Sequence, residues 1–74
     1  MENNKSTKWI QKGAVSQLVE VVETDLGQFG DREAAQATAS YRSSEFDDAV
    51  VIRDRVYGWR AVGQTWGRII REVA

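Results

Sequence analysis

The stretch VVIRDRVYGWRAVG, residues 50–63, decides the fold of this 74-residue chain. Two runs rich in β-branched and aromatic residues, the residue types that favour strands, flank the pair Tyr57-Gly58. Glycine readily adopts the positive φ that a type II turn or a bulge requires, so Gly58 suits a tight connection. The stretch therefore predicts a β-hairpin, with one strand over residues 49–56 and a second over residues 59–63.

The register of this hairpin determines where its arginines point. We expect Val56 to face Trp59, which places Trp59 on the buried face of the sheet. Arg55 then faces Arg60 on the outward surface, and Arg53 lies on that surface too. Like charges that face each other across two strands are unfavourable by a few tenths to about 1 kcal/mol, so a sheet selected only for stability would rarely carry them. We interpret these arginines as an anion-seeking surface.

The tip of the hairpin adds an aromatic anchor to this surface. Tyr57 is adjacent to the arginines, and tyrosine and arginine are the residue types that dominate many protein interfaces. The predicted partner-binding residues are Arg53, Arg55, Tyr57 and Arg60. The alternative is a solvated sheet face whose arginines pair with Glu20 or Glu23 on a neighbouring strand.

A Val-rich segment over residues 17–24 predicts another strand. Apolar residues there also recur at helical spacing, so a helix is the competing interpretation. The stiff β-branched valines suit a strand better, and Gly27 and Gly30 would end any helix at about residue 26. For residues 8–12 we expect either a short strand or the packing of Trp9 and Ile10 onto the body of the domain.

The Ala-rich segment after residue 31 is the clearest helix in the sequence. Asp31 stands at the N-cap position, where its carboxylate can accept backbone N–H groups and meets the positive end of the helix dipole. Residues 32–44 form the predicted helix, and residues 27–31 form a loop before it. Spacings of three and four residues define the face expected to pack on the sheet, whose members are Ala34, Ala37, Thr38 and Tyr41.

The tail over residues 65–73 leaves alternatives open. Its large apolar residues match one face of a short helix, and a final strand is the alternative. A continuous helix from Ile52 to Val73 is a third interpretation. It would contain Gly58, Gly63 and Gly67, each of which costs about 1 kcal/mol relative to alanine in a helix.

The order strand–helix–strand–strand predicts an α+β fold. We expect a small antiparallel sheet of three or four strands with one helix packed on one face, and we leave a short C-terminal helix open. Residues 1–7 are expected to be a disordered lead-in, and residues 8–74 a single small domain.

Composition excludes most catalytic and metal chemistry. The chain has no Cys and no His, so it lacks a thiolate nucleophile, the commonest general base and the preferred zinc ligands. No glycine-rich phosphate loop and no nucleophile elbow is present. We therefore predict no enzyme, no catalytic residue, no cofactor and no metal site. Because the sequence has neither an 18-residue apolar run nor a signal peptide, we expect no membrane contact and a cytoplasmic location.

The net charge of −1 conceals a segregation of charge along the chain. Lysines lie near the N-terminus, acidic residues concentrate in the middle, and arginines dominate the last third. Such a distribution steers association more than it determines the fold. An isoelectric point near 5.3 argues against general nucleic-acid affinity, which uses a strongly basic face.

The segment DREAAQATASYRSSEFDDAVVIRDRVYGWRAVG, residues 31–63, resembles in layout the small phage-encoded anti-CRISPR proteins of the type I class. In this layout an Ala-rich helix leads to a Val-rich strand and a Gly-Trp hairpin, over about half of the chain. The resemblance implies a non-catalytic inhibitor that covers a surface of a CRISPR surveillance complex or of its nuclease. It includes no motif that carries functional residues across, and the mixed charge of this chain departs from clearly basic or clearly acidic inhibitors.

Three functions follow from these observations. The first is a phage or mobile-element inhibitor that docks, through the predicted partner-binding residues, on a host protein or ribonucleoprotein complex that handles nucleic acid. The second is a small module that contacts nucleic acid weakly through the same face together with Lys8 and Lys12. The third is a structural subunit that forms a homodimer through a sheet edge or through the segment TWGRII, residues 65–70.

Overall fold

The computed structural model describes residues 5–56 and 58–74, so the anchor predicted at Tyr57 lies outside the described residues. The elements are strand β1 (Lys5–Lys12), strand β2 (Val15–Phe29), helix α1 (Arg32–Arg42), a 3₁₀ turn (Ser43–Glu45), strand β3 (Asp48–Asp54) and strand β4 (Gly58–Val73). The strands form one antiparallel sheet in the order β1-β2-β4-β3, and α1 packs on it. This arrangement confirms the predicted α+β fold.

Strand β4 differs most from expectation. It continues without a break to Val73, so the tail is a strand, and both the short C-terminal helix and the continuous helix from Ile52 are wrong. Helical spacing was a poor guide here because Gly63 and Gly67 disfavour a helix, and because the β-branched residues around Ile69 suit a strand. Pairing with β2 supplies the backbone hydrogen bonds that a helix would otherwise provide.

Two boundaries near the N-terminus also differ from the prediction. Strand β1 begins at Lys5, so residues 5–7 belong to a strand instead of the expected disordered lead-in, whereas residues 1–4 lie outside the described residues. Strand β2 runs to Phe29, which takes in part of the predicted loop. Every residue of β1 has a partner on β2, and this pairing extends the strand beyond the segment that its own composition indicates.

The chain divides into two compact units, and the first comprises residues 1–22 and 66–74. Its core lies on the face of β2 that carries Val19 and Val21, each 1% exposed. These valines alternate along the strand, and this places both on the same face. The Val-rich sequence that predicted a strand therefore also forms the buried layer of this unit.

The last residues of β4 lie beside β2 in this unit. The Gln17 side-chain Nε2 donates a hydrogen bond to Oε2 of Glu72 at 2.9 Å. The Arg68 guanidinium lies 3.3 Å from Oε2 of Glu20, and the Arg68 side chain remains 77% exposed. These contacts join the C-terminal residues of β4 to the same strand whose valines are buried.

The second unit comprises residues 23–65 and contains α1, β3 and the hairpin. Small residues line the interface between the helix and the sheet, since Ala35 and Ala61 are fully buried. Gly63 allows the closest approach. A Cβ atom at that position would lie 2.6 Å from two carbons of the Phe46 ring, so only glycine leaves room for the ring.

The buried face of α1 is offset from the predicted one. Ala35 and Ala39 are the buried helix residues, whereas Tyr41 is 88% exposed and Ala37 is exposed as well. The prediction was wrong because it counted Tyr41 as an apolar residue of the packing face. A helix this rich in alanine offers several faces at equal spacing, and close contact with the sheet favours the one without a large side chain.

The start of α1 agrees only in part with the prediction. Asp31 is the N-cap residue and has an extended backbone, but its side chain makes no capping hydrogen bond. The first turn is closed by a backbone bond from the Ala35 N–H to the Asp31 carbonyl at 3.2 Å.

Within the described residues, every helix falls short of the length and apolar character of a membrane span.

Candidate partner-binding surface

The hairpin of β3 and β4 has a different register from the predicted one. Asp54 pairs with Gly58 and Arg53 pairs with Trp59, so the connection has three residues, 55–57, and the predicted pairing of Val56 with Trp59 is wrong. The Asp54 carboxylate accepts a hydrogen bond from the Val56 N–H at 2.8 Å and so supports the start of the connection.

Gly58 explains why the connection is longer than expected. Its φ is 99°, and a Cβ atom there would lie 3.4 Å from the Phe29 carbonyl oxygen. This conformation strains any other residue and brings the backbone close to the end of β2. Gly58 therefore begins β4, whereas the sequence predicted that it would complete a two-residue turn.

The new register divides the predicted partner-binding residues. Side chains alternate between the faces of a strand, so Arg53 shares a face with Trp59. Arg60 pairs with Ile52 and lies on the other face of the sheet. Arg55 lies in the connection and is exposed. The hairpin thus does not place Arg53 and Arg60 on one face.

A cluster of one aromatic ring and two cations replaces the predicted surface. We call Trp59, Arg53 and Arg32 the Trp59 cluster. The guanidinium carbon of Arg53 is 5.1 Å from the centre of the Trp59 ring, and that of Arg32, from the start of α1, is 5.6 Å from it. Both arginines are exposed and Trp59 is half-buried, so the ring supports two cations at the surface.

Arg32, Arg53 and Arg55 form no salt bridge with the acidic residues that the structure describes. Arg42 pairs with Glu45 in the second unit, and Arg68 pairs with Glu20 in the first. Glu20 therefore pairs with a residue of β4 outside the hairpin arginines, contrary to the alternative that Glu20 neutralises them. Within the same described part, the buried Nε of Arg60 has no hydrogen-bond partner.

A shallow depression adjoins the Trp59 cluster. It has a volume of about 170 Å³, and its lining includes Arg32, Glu33 and Gln36 from the first turns of α1. The depression is too small for a drug-sized ligand, for which pockets measure roughly 300–1,000 Å³. It can accept one side chain of a partner, with the Gln36 amide and the Arg32 guanidinium as hydrogen-bonding groups.

The other two tryptophans lie in the first unit. The Lys8 ammonium is 5.0 Å from the centre of the Trp66 ring, and Trp9 on β1 is 50% exposed. Residues 5–56 and 58–74 contain no group of three acidic side chains that could hold a metal ion.

Sequence reasoning missed Arg32 and gave Trp59 a place in the core. Arg32 follows the helix cap, and no local pattern links it to a hairpin more than twenty residues away. A three-residue connection in the predicted hairpin would have placed Trp59 on the same face as Arg53, because an odd shift of register moves a side chain to the other face.

Comparison with protein-family models, curated proteins and solved structures gives no match for this chain.

Proposed function

We propose that this chain is a non-catalytic binding protein whose contact surface is the Trp59 cluster, extended by the exposed Arg55. The main evidence is that Arg32 and Arg53 both lie over the Trp59 ring and have no acidic partner among the described residues. A guanidinium above an aromatic ring uses its flat face for that contact. Its N–H donors lie in the plane and stay available for a carboxylate or a phosphate.

An acidic protein surface is the partner that suits this cluster. A half-buried tryptophan with adjacent arginines is the composition of interface hot spots, where an aromatic anchor and a bidentate cation act together. The acidic residues Asp31 and Glu33 flank Arg32 in sequence and would repel a continuous phosphate backbone. A protein partner can place a few carboxylates against the arginines and avoid those acids.

The specific form of the proposal is an inhibitor encoded by a phage or mobile element. It acts in the host cytoplasm by covering a surface of a nucleic-acid-handling complex such as a CRISPR effector. The support for this form is the resemblance of layout over residues 31–63. The surface chemistry of the Trp59 cluster supports only the broader function of docking on an acidic partner.

Capture from a bacterial host lysate tests the proposal, with and without nuclease treatment. The bait proteins are the wild type, Arg53→Glu, and Lys12→Glu as the matched control, because Lys12 is an exposed cation at the end of β1. We expect the wild type and Lys12→Glu to retain the same proteins after nuclease treatment, and Arg53→Glu to lose them. Circular dichroism confirms that each variant is folded.

Two outcomes would contradict this function. Equal capture by the wild type and Arg53→Glu would show that the Trp59 cluster is not the contact surface. Capture that disappears with nuclease would favour the second candidate, a nucleic-acid-binding module. Binding of that module to random-sequence RNA would weaken steeply as salt is raised, because phosphate contacts release counterions.

A further inference from the structure

Strand β4 is longer than β3, the strand that pairs with it on one side. The β3–β4 pairs end at Gln64, whose carbonyl accepts the last backbone bond, from the Asp47 N–H, at 2.9 Å. From residue 66 to residue 73 β4 lies beside β2, and the described residues place no strand on its other side. We call residues 66–73 the β4 edge. A strand edge with no neighbouring strand presents backbone N–H and C=O groups with which another strand can pair.

The side chains of the β4 edge are unusually apolar for an open strand. Ile69, Ile70 and Val73 are 52%, 47% and 47% exposed. Natural proteins protect open edges with lysines, prolines or bulges. Strand β1, one of the two outer strands, carries three lysines, whereas the β4 edge has neither lysine nor proline. The β4 edge therefore lacks the protection that lysines give to β1.

Strand geometry limits how two copies of this edge can pair. Backbone groups of successive residues point alternately to the two sides of a strand, so opposite residues in an antiparallel pair must be of the same kind. Two identical strands related by a two-fold axis meet this condition only when the axis passes through a residue. For two paired copies of the β4 edge, the two-fold axis must therefore pass through a residue and cannot lie between two residues.

The charges on the β4 edge select one of these centres. With the axis at Ile70, Arg68 of each copy lies opposite Glu72 of the other, so two pairs of opposite charge form. An axis at Arg68, Arg71 or Glu72 would place that residue opposite its own copy. An axis at Ile69 brings no opposite charges together. Self-pairing about Ile70 is thus the register in which the charges are complementary.

The existing contacts of these charged residues prepare them for this pairing. Glu72 accepts one hydrogen bond from Gln17, and Arg68 has one long contact to Glu20. A carboxylate accepts several hydrogen bonds and a guanidinium has five donors, so both groups keep capacity for a second partner. The contacts within the chain restrict the positions of the Glu72 and Arg68 side chains, and both can still pair with a second copy.

From this complementarity we infer that two copies of the chain associate through the β4 edge, as antiparallel strands about a two-fold axis at Ile70. The two sheets become continuous, and Ile70 of each copy faces Ile70 of the other. This inference concerns the first compact unit alone. It stands whether or not the Trp59 cluster binds a partner.

Sedimentation equilibrium from low micromolar to near-millimolar concentration tests the association. The wild type is expected to shift from the 8.3 kDa monomer towards twice that mass. Ile70→Lys places two ammonium groups face to face and is expected to stay monomeric. Val56→Lys is the matched control, because Val56 is an exposed aliphatic residue, 80% exposed, in the β3–β4 connection. This control is expected to dimerise as the wild type does.

A charge-swap experiment tests the register. Arg68→Glu alone places carboxylates opposite Glu72, and Glu72→Arg alone places guanidiniums opposite Arg68. Each is expected to raise the dissociation constant by roughly tenfold, because two like-charge contacts replace two favourable ones. A mixture of the two variants restores two opposite-charge pairs, and we expect a heterodimer with affinity near that of the wild type.

Three results would overturn the inference. A wild type that keeps the monomer mass over the whole range does not self-associate. Dimerisation of Ile70→Lys equal to that of the wild type would place the interface elsewhere. A mixture of the charge variants that associates no better than each variant alone would exclude the register centred on Ile70.

Discussion

Arg53 and Trp59 lie directly opposite each other across β3 and β4, and the Arg53 guanidinium carbon is 5.1 Å from the centre of the Trp59 ring. The pairing follows from the three-residue connection, which places both side chains on the face that α1 covers. Arg32 approaches the same ring from the start of that helix. One cross-strand pair therefore gathers two cations at a surface that neither element would form alone.

A double-mutant cycle measures this relationship. Arg53→Ala and Trp59→Leu, made singly and together, are expected to show a coupling of about 0.5–1 kcal/mol in the free energy of unfolding, the value of an exposed cation–π contact. Urea denaturation followed by circular dichroism gives the three values. The same cycle with Arg55→Ala should give a coupling near zero, and equal couplings in the two cycles would contradict the geometry.

The close approach at Gly63 predicts contrasting effects for two glycine substitutions. Gly63→Ala forces a Cβ atom against the Phe46 ring and is expected to cost about 1–3 kcal/mol, the usual cost of overpacking. Gly67→Ala is the control, because its Cβ atom would meet Glu20 at an ordinary distance of 3.4 Å. We expect Gly67→Ala to change stability by less than about 0.5 kcal/mol.

A second substitution identifies the cause of the Gly63→Ala effect. Phe46→Leu shortens the side chain that the new methyl group meets, so the double variant should lose less stability than the two single losses together. Thermal and urea denaturation at low protein concentration are the measurements. Strict additivity of the two losses would show that the ring is not the obstacle.

The offset of the helix face predicts different outcomes at two alanines. Ala39 is 1% exposed, so Ala39→Leu inserts a large side chain into the contact with the sheet and should cost about 1–3 kcal/mol. Ala37 is exposed, and leucine is nearly as good a helix former as alanine, so Ala37→Leu should be close to neutral. Greater destabilisation by Ala37→Leu would restore the face predicted from spacing.

The salt bridge after α1 predicts the titration of one carboxyl group. The hydrogen bond from the Arg42 guanidinium, 2.7 Å from Oε1 of Glu45, lowers the pKa of Glu45 below its ordinary value. A depressed carboxyl pKa contributes stability above the unfolded-state value, and that contribution is lost as the pH falls through the folded-state pKa. Carbon-detected NMR titration should therefore show a pKa of Glu45 below that of an ordinary glutamate.

Removal of the cation is the control for this titration. Arg42→Ala should return the pKa of Glu45 towards its ordinary value, while Arg53→Ala should leave it unchanged. A pKa of Glu45 that does not respond to Arg42→Ala would show that the pair does not persist in solution.

Local residue preference predicted most of the fold. The valines of β2, the alanines of α1 and the hairpin residues identified each element, because β-branched side chains and alanine act through the backbone of their own residues. Tertiary pairing determined the lengths, since β1 and the end of β4 lie beside a strand that offers backbone partners. For the same reason, the helical spacing in the tail did not describe its structure.

The candidate site was predicted less well than the fold. The arginine-rich hairpin was recognised from its composition, but its register depends on the positive φ of Gly58 and on the carbonyls that approach it from the end of β2. An odd shift of pairing reverses the faces of one strand relative to the other, so it separates Arg53 from Arg60 and unites Arg53 with Trp59. Arg32 reaches the cluster only because α1 packs over that face.

The sequence by itself determined the types of the elements, their order and the absence of cysteine and histidine chemistry, because each of these depends on residue identity and local backbone preference. Only the tertiary structure decided which side chains share a face, which helix surface is buried and where a strand edge remains open. Those properties depend on contacts between residues far apart in the chain, and a shift of one residue in any pairing changes them all.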